Sequence, residues 1–197
     1  MLSHKLAEYS LRAYTERTFD IDGAQVLVEK TPDGLVIAFR GTEDGEDLIT
    51  DLRASPWYSK EIGVWCHAGF LKSLRPLIES LNRPVFRAKK VTLTGHSLGG
   101  AMAQIYAAYL VKQGYMPHLT TFGAPRAGMQ GLSDLSSQCK GYRFVRDGDT
   151  VPHVPVHIPF LFPYTHDRNE YELEGADGVF DDHGMLGYLS VTPDMEV

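Results

Sequence analysis

The chain has 197 residues, of which 43% are hydrophobic and 22% are charged, as in an ordinary globular protein. This length is enough for one domain with a full core and too short for two, so we expect a single domain over residues 1–197. The net charge of −6 disfavours nucleic acids and anionic membrane surfaces as partners, and a neutral substrate is easier to reconcile with it. No apolar run approaches the length of a membrane span.

The N-terminal residues show no basic segment followed by an apolar core, which is the pattern of a secretory signal. We therefore expect a protein that is cytoplasmic or released without a signal, or a secreted one whose signal has been removed. Cys66 and Cys139 are enough for one disulfide, but no other feature requires an oxidising compartment, and we favour two reduced thiols. The chain has no HExxH, CxxC or close histidine pair on a helix, so no metal site is predicted.

The first third of the chain has the pattern of a helix, a hairpin and a second helix. Apolar residues at spacings of three and four predict an amphipathic helix over residues 2–14. Strand-like runs at 24–29 and 35–40 flank Thr31-Pro32-Asp33-Gly34, which has the residues of a tight turn, so an antiparallel hairpin is predicted. A further helix is predicted from residue 70 to about residue 81, where Asn82-Arg83-Pro84 ends it.

The centre of the chain has the order of a strand, a sharp turn and a helix. A β-branched, alternating run leads into Gly95-His96-Ser97-Leu98-Gly99, and a helix-forming stretch follows over residues 101–112. A serine at such a turn is held in a strained backbone conformation that pushes its hydroxyl above the sheet edge. Only residues without side chains can flank it closely, and Gly95 and Gly99 meet that requirement.

Strands at 118–122 and 142–145 complete the alternation of an α/β protein whose central sheet is mostly parallel and flanked by helices. A site is expected at the carboxyl edge of that sheet. The proline-studded apolar stretch 151–163 predicts an ordered loop near the pocket, because it suits neither a helix nor a central strand. An edge strand over 170–174 and a short helix opening at Asp181-Asp182 end the chain.

Ser97 needs partners, because a serine hydroxyl is a weak nucleophile at neutral pH without a base and a carboxylate that orients the base. In sheets of this kind the chain order is serine, then acid, then histidine. Asp147 and Asp149 both follow a predicted strand at the right edge, and His166 and His183 both follow the acid, so the residues alone leave two acids and two bases open.

Two nearby histidines have other expected roles: His96 packs beneath the turn, pointing away from Ser97, and His67 is structural. An oxyanion that develops on the substrate needs two or more donors fixed in advance. The turn places the backbone N–H of Leu98, and Thr42 offers an N–H and a hydroxyl at the end of an earlier strand. The alternative for Thr42 is that it only caps a turn.

Six blocks of sequence together resemble the lipase class 3 family, the filamentous-fungal triacylglycerol lipases and their feruloyl esterase and phospholipase relatives. In chain order the blocks are Phe39-Arg40-Gly41-Thr42, His67-Ala68-Gly69-Phe70, Gly95-His96-Ser97-Leu98-Gly99-Gly100, Thr121-Phe122-Gly123-Ala124-Pro125-Arg126-Ala127-Gly128, Asp149-Thr150-Val151-Pro152-His153-Val154-Pro155 and Tyr164-Thr165-His166.

The resemblance implies an α/β-hydrolase fold and a serine carboxyl-ester hydrolase that needs no metal or organic cofactor. The family's acid stands directly before a Val-Pro pair, which selects Asp149 over Asp147. Its base lies near the C-terminus, which selects His183 and leaves His166 a supporting role. Its oxyanion residue follows Phe-Arg-Gly and is here Thr42.

The chain departs from the family between Thr42 and Trp57, where secreted members carry an amphipathic lid. Residues 43–51 contain five carboxylates and only Leu48 and Ile49 as adjacent apolar groups. An anionic interface would repel them, so we expect no strong interfacial activation and a preference for short to medium acyl chains. The expected partner is a small-molecule or lipid ester, with at most transient contact with a lipid surface. A phospholipase or feruloyl-type esterase is the nearest alternative, and a catalytically idle binding module is a further one.

Overall fold

A computed structural model describes residues 1–42, 55–166, 169–175 and 182–197. The acidic segment 43–51, on which the chain-length expectation depends, lies outside these residues. The described helices are α1 (Ser3–Arg12), α2 (Ala68–Val85), α3 (Leu98–Lys112), α4 (Gln130–Ser136) and α5 (Met185–Val191), with a 3₁₀ turn at Val151–His153. None of these helices has the length and apolar character needed to span a bilayer.

The described strands are β1 (Phe19–Ile21), β2 (Ala24–Thr31), β3 (Gly34–Phe39), β4 (Pro56–Ser59), β5 (Val64–His67), β6 (Val91–His96), β7 (His118–Phe122), β8 (Gly128–Met129), β9 (Arg143–Arg146), β10 (Tyr164–Thr165) and β11 (Glu170–Leu173). Seven of them form the central sheet in the order β1-β2-β3-β6-β7-β9-β11. From β3 onward every neighbouring pair is parallel, whereas β1, β2 and β3 are antiparallel. The prediction of a mostly parallel sheet is therefore confirmed.

The sheet is covered by helices on both faces, which is why all residues of β6 are buried. On one face, apolar side chains of the sheet pack with α2 and α3, among them Phe39, Leu74 and Tyr106. On the other face they pack with α1 and α5, and Leu6 and Tyr188 belong to this second cluster. Two apolar layers around a central sheet give a three-layered α/β architecture, as the resemblance implies.

The predicted hairpin and edge strand are both present. Strands β2 and β3 pair from Val26 opposite Phe39 to Thr31 opposite Gly34, so the turn lies at the predicted position. Gly34 has a positive φ of 135°, and a Cβ there would lie 2.5 Å from the carbonyl oxygen of Lys90. Strand β11 pairs in parallel with β9 at the end of the sheet, as predicted for residues 170–174.

A second sheet, in the order β10-β8-β5-β4, was not predicted. Its strands are two to four residues long, and their pairings join distant parts of the chain, such as Cys66 with Gly128 and Tyr164 with Met129. Segments this short show no alternation from which a strand is recognised. This sheet is antiparallel throughout.

Two predicted helix boundaries differ most from the structure. Helix α2 does not end at residue 81 but continues to Val85, because Phe86 N–H still donates to Asn82 O and both Leu81 and Val85 are fully buried. Burial of one more apolar turn outweighs the missing N–H of Pro84. The C-terminal helix begins at Met185 rather than at Asp181-Asp182. The expectation of reduced thiols is confirmed, since Cys66 and Cys139 are buried and form no disulfide.

The apolar stretch 151–163 forms neither an α-helix nor a central strand, as predicted, but most of its side chains are exposed. Its beginning is a buried 3₁₀ turn, but further along Phe160 is fully exposed and Leu161 is 63% exposed. None of its residues lines the cavity beside Leu98 that is described below. Its side chains after Val154 mostly face solvent, whereas Val151 at its start donates its N–H to Asp149 Oδ1.

Candidate active site

Ser97 lies at the turn between β6 and α3, as the sequence predicts. Its φ of 55° and ψ of −129° are sparsely populated by residues other than glycine. Its N–H donates to the carbonyl oxygen of Phe122, at the end of the neighbouring strand β7. The strained turn is thereby tied to the carboxyl edge of the sheet.

The two flanking glycines allow this turn because backbone approaches backbone there. A Cβ on Gly95 would lie 2.5 Å from the carbonyl group of Gly99, and a Cβ on Gly99 would lie 2.1 Å from the carbonyl oxygen of Phe39. Any side chain at either position would push the start of α3 away from the strands. The two glycines therefore allow Arg40 and the first residues of α3 to lie close together.

Ser97, His183 and Asp149 form a continuous hydrogen-bonded chain. His183 Nε2 lies 2.9 Å from Ser97 Oγ, and His183 Nδ1 lies 2.9 Å from Asp149 Oδ2 and 3.1 Å from Oδ1. The Asp149 side chain is fully buried and that of His183 is 17% exposed. With its Nδ1–H donated to the carboxylate, the ring of His183 presents the Nε2 lone pair to the serine hydroxyl. Such a chain can remove the serine proton during attack on a carbonyl carbon.

The two rival residues lie outside this chain of hydrogen bonds. Asp147 is exposed, and its N–H donates to Leu173 O. His166 Nε2 is bonded to the carbonyl oxygen of Pro152 instead. Burial, followed by the charge of Arg143, lowers the pKa of His166 to about 3, so this imidazole is neutral and donates from Nε2.

Tyr188 belongs to the site although no pattern in the sequence points to it. Its hydroxyl donates to Asp149 Oδ2 at 2.6 Å and accepts from the N–H of Arg146 at 3.1 Å. The N–H of Val151 donates to the other oxygen of Asp149 at 2.9 Å. Burial and the neighbouring Asp149 charge raise the pKa of Tyr188 well above its usual value, so it remains a donor. Three donors, including His183, thus fix the orientation of the carboxylate.

His96 is buried beneath the turn, as expected. Burial, and then the proximity of His183, lower the pKa of His96 well below its usual value, so its ring is neutral. Its Nδ1 lies 2.7 Å from the hydroxyl of Tyr14, and its Nε2 lies 2.6 Å from the backbone carbonyl oxygen of His183. A neutral ring that donates from Nε2 and accepts at Nδ1 satisfies both contacts. His96 therefore holds the backbone of His183 rather than acting on Ser97.

His67 also has the structural position that was expected. It is fully buried, stacks on Phe70 and accepts from the N–H of Phe70, which caps the start of α2.

A buried ion pair anchors the residue before His183. Arg146 Nη2 lies 3.1 Å from Asp182 Oδ1, and Arg146 Nη1 donates to the Asp182 carbonyl oxygen at 3.2 Å. Both side chains are at most 4% exposed. Arg146 ends β9, three residues before Asp149, so this pair joins the segment carrying His183 to the strand that leads to Asp149.

We expect the variant Arg146→Met to lose about 3–5 kcal/mol of unfolding free energy, because it leaves the Asp182 carboxylate buried without its cation. Urea denaturation measures this loss. The matched control is Arg75→Met, whose ion pair with Glu61 is 3.8 Å long and about half exposed, and which should change stability by about 0–1 kcal/mol. Equal losses in the two variants would contradict a role of the buried pair in stability.

Thr42 and Leu98, the two predicted oxyanion donors, line one cavity of about 490 Å³ together with Arg40, Ser73 and Met102. Leu98 is the first residue of α3, where backbone N–H groups have no partner within the helix and the helix dipole favours negative charge. Thr42 follows Gly41, at which a Cβ would lie 2.7 Å from the carbonyl oxygen of His96. The segment carrying Thr42 therefore runs beside the turn that carries Ser97.

Comparison with known proteins gives consistent matches. A family model described as Lipase (class 3) matches residues 36–158. The chain is 33% identical over 163 residues to the secreted mono- and diacylglycerol lipase 1 of Fusarium solani, covering 78% of this chain and 48% of that protein. It is 34% identical over 157 residues to a lipase of Rhizomucor miehei, covering 73% and 42% of the two chains.

Among solved structures, the native propeptide complex of Rhizomucor miehei lipase has a TM-score of 0.68 and 27% identity, over 86% of this chain and 65% of that chain. The mono- and diacylglycerol lipase of Aspergillus oryzae shares the fold, with a TM-score of 0.66, 22% identity and coverage of 88% and 77%. The chain spans about half the length of the curated relatives it matches.

Proposed function

The chain belongs to the class 3 lipase family, and on that basis we propose that it hydrolyses carboxylic esters through an acyl-enzyme on Ser97. The observation that carries the proposal is the unbroken line of hydrogen bonds from Ser97 through His183 to the buried Asp149. A histidine held in one tautomer by a buried carboxylate, with its other nitrogen on a strained serine, suits acyl transfer.

In the proposed reaction, Ser97 Oγ attacks the acyl carbonyl carbon while His183 Nε2 takes the hydroxyl proton. Asp149 stabilises the imidazolium that forms, and the Leu98 N–H and Thr42 donate to the oxyanion. The alcohol leaves with the proton from His183. A water molecule, deprotonated in turn by His183, then attacks the acyl-enzyme, and the carboxylic acid leaves as Ser97 regains its proton. We propose that the ester reaches Ser97, which is itself buried, from the cavity lined by Thr42 and Leu98.

The proposed role of Thr42 predicts that Thr42→Val lowers kcat/KM for ester hydrolysis about 10²-fold, because the side-chain donor to the oxyanion is lost. Thr42→Ser is the matched control, since it keeps the hydroxyl, and it should retain most of the activity. Thr42 is exposed, so neither change disturbs the core. Equal activity of the valine and serine variants would show that the hydroxyl donates nothing and that Thr42 acts at most through its backbone.

For the substrate, we propose acylglycerol-type or other carboxylic esters with short to medium acyl chains. Relatives of this chain are named as mono- and diacylglycerol lipases, which favours acylglycerols. The chain-length preference rests on the five carboxylates in residues 43–51, because a segment of that charge is poorly suited to lie on an anionic lipid surface.

A series of p-nitrophenyl esters tests this preference. We expect kcat/KM to be higher for the butyrate and octanoate esters than for the palmitate ester, with no abrupt rise in rate above the solubility limit. A rate jump with dispersed long-chain ester would contradict the proposal. A phosphatidylcholine and a methyl ferulate assayed in parallel test the phospholipase and feruloyl esterase alternatives, and faster turnover of either would replace the acylglycerol assignment.

A further inference from the structure

A second cavity, of about 670 Å³, lies at the opposite end of the sheet from Ser97. Leu35 lines this cavity at the start of β3 and pairs with Val91 at the start of β6, whereas Ser97 follows the end of β6. Six residues of strand at about 3.3 Å each place the two ends of β6 roughly 20 Å apart. The two cavities share no lining residue within the described part of the chain, so this one is separate from the candidate active site.

The inner wall of the second cavity is apolar. Phe19 of β1, Val28 of β2 and Ala88 after α2 line it and pack against the core cluster, and Leu35 is itself 3% exposed. The volume falls within the range of small-molecule sites in proteins. A hydrocarbon group placed against this wall would extend the existing core.

The rim of the same cavity is cationic. Four cationic residues line it: Arg83 in the last turn of α2, Arg87 just after that helix, Lys30 and Lys89. Among the lining residues that the structure describes, Glu79 is the one carboxylate, so four cations and one acid give a local charge of +3 in a protein with a net charge of −6. None of the four cations forms an ion pair with a residue of the described ranges.

We propose that this cavity binds an amphipathic carboxylate, with its hydrocarbon chain on the apolar wall and its head group at Arg83 and Arg87. Guanidinium groups match the planar geometry of a carboxylate and bind it with paired hydrogen bonds. An inorganic anion would leave the apolar wall unused, and a neutral lipid would leave the cations without a partner. A fatty acid, the class of product that the proposed reaction releases, has both required parts.

The test follows ¹H–¹⁵N chemical shifts of the full chain carrying Ser97→Ala, so that binding is read without turnover. We expect dodecanoate to cause saturable shifts at Leu35 and Ala88, while dodecanol and inorganic phosphate cause much smaller ones. Absent shifts, or shifts confined to Thr42 and Leu98, would overturn the proposal. Equal shifts from dodecanol or from phosphate would overturn it as well, because the cavity would then not recognise the combination of chain and carboxylate.

Charge reversal on the rim provides the second measurement. Arg83→Glu/Arg87→Glu changes two exposed residues and should weaken dodecanoate binding by about tenfold, as expected when two surface ion pairs become repulsive. Lys30→Glu/Lys89→Glu reverses the charges contributed by other elements of the rim and should have an effect in the same direction.

The matched control is Lys60→Glu/Lys112→Glu, which changes the net charge equally at exposed positions outside the cavity and should leave the affinity within about twofold of the parent. If the control weakens dodecanoate binding as much as the rim variants do, the effect comes from net charge alone and the proposal is overturned. No step of this test depends on ester hydrolysis. A negative binding result would therefore leave the proposed function of Ser97 unaffected, and failure of that proposed function would leave the binding result unaffected.

Discussion

Replacing Ser97 with alanine is expected to lower kcat for p-nitrophenyl butyrate hydrolysis about 10⁶-fold. The variant loses Oγ, which lies 2.9 Å from His183 Nε2, so no acyl-enzyme can form. The alanine keeps the turn, because Gly95 and Gly99 still provide the close backbone contacts. Folding should therefore be unchanged while activity is lost.

The comparison protein for this experiment is Ser190→Ala, in which an exposed serine of α5 bonded to the Gly187 carbonyl oxygen is removed. It should retain wild-type turnover. Both variants are assayed after their thermal unfolding has been compared with that of the parent. Turnover of the Ser97 variant within a factor of about ten of the parent would end the proposal that Ser97 is the nucleophile.

Asp149→Asn is expected to lower kcat about 10⁴-fold while leaving the size of the side chain unchanged. The amide carries no negative charge beside the imidazolium, and its NH2 group donates where a carboxylate oxygen accepts, so His183 loses electrostatic support and the partner that fixes its tautomer. One amide oxygen still serves Tyr188 or Val151, which limits the structural damage. The loss should therefore appear mainly in kcat rather than in stability.

Asp147→Asn is the control for Asp149→Asn, because the sequence alone allows either aspartate to be the acid. It is exposed and contributes its backbone N–H to Leu173, so its amide variant should remain close to wild-type activity. The reverse result, with the Asp147 variant impaired and the Asp149 variant active, would contradict the hydrogen-bonded arrangement as the working one.

The end of strand β9 organises the candidate site more than any other single element. The N–H of Arg146 is bonded to the Tyr188 hydroxyl, its guanidinium holds Asp182, and Asp149 follows three residues later. Asp149, the Tyr188 hydroxyl that orients it and the segment bearing His183 therefore meet at one strand end. Burial of these groups strengthens their mutual interactions and makes the loss of any partner costly.

The turn around Ser97 was predictable because its requirements are local. A strand, two glycines and a helix stand next to one another in the sequence, and each signal is independent of distant residues. The hairpin with its Thr31–Gly34 turn and the parallel order of the strands were predictable for the same reason. The choice of Asp149 and His183 needed the family resemblance, because the spacing fits Asp147 and His166 as well.

The remaining features depend on contacts between residues that are far apart in the chain. Tyr188 meets Asp149 across 39 positions, and Arg146 meets Asp182 across 36. Nothing in the local pattern distinguishes Tyr188 from any other core tyrosine. The second sheet was missed because strands such as Gly128–Met129 are too short to show a period of two, and only their pairing defines them.

Intact-protein mass spectrometry after reaction with a fluorophosphonate, which phosphonylates an activated serine, tests directly whether Ser97 is the nucleophile. We expect one equivalent of label per chain, located on Ser97 by peptide mapping, no label on the Ser97→Ala variant and much slower labelling of Asp149→Asn. A folded parent protein that remains unlabelled, or that is labelled on another residue, would contradict the assignment of Ser97, His183 and Asp149 as the catalytic residues.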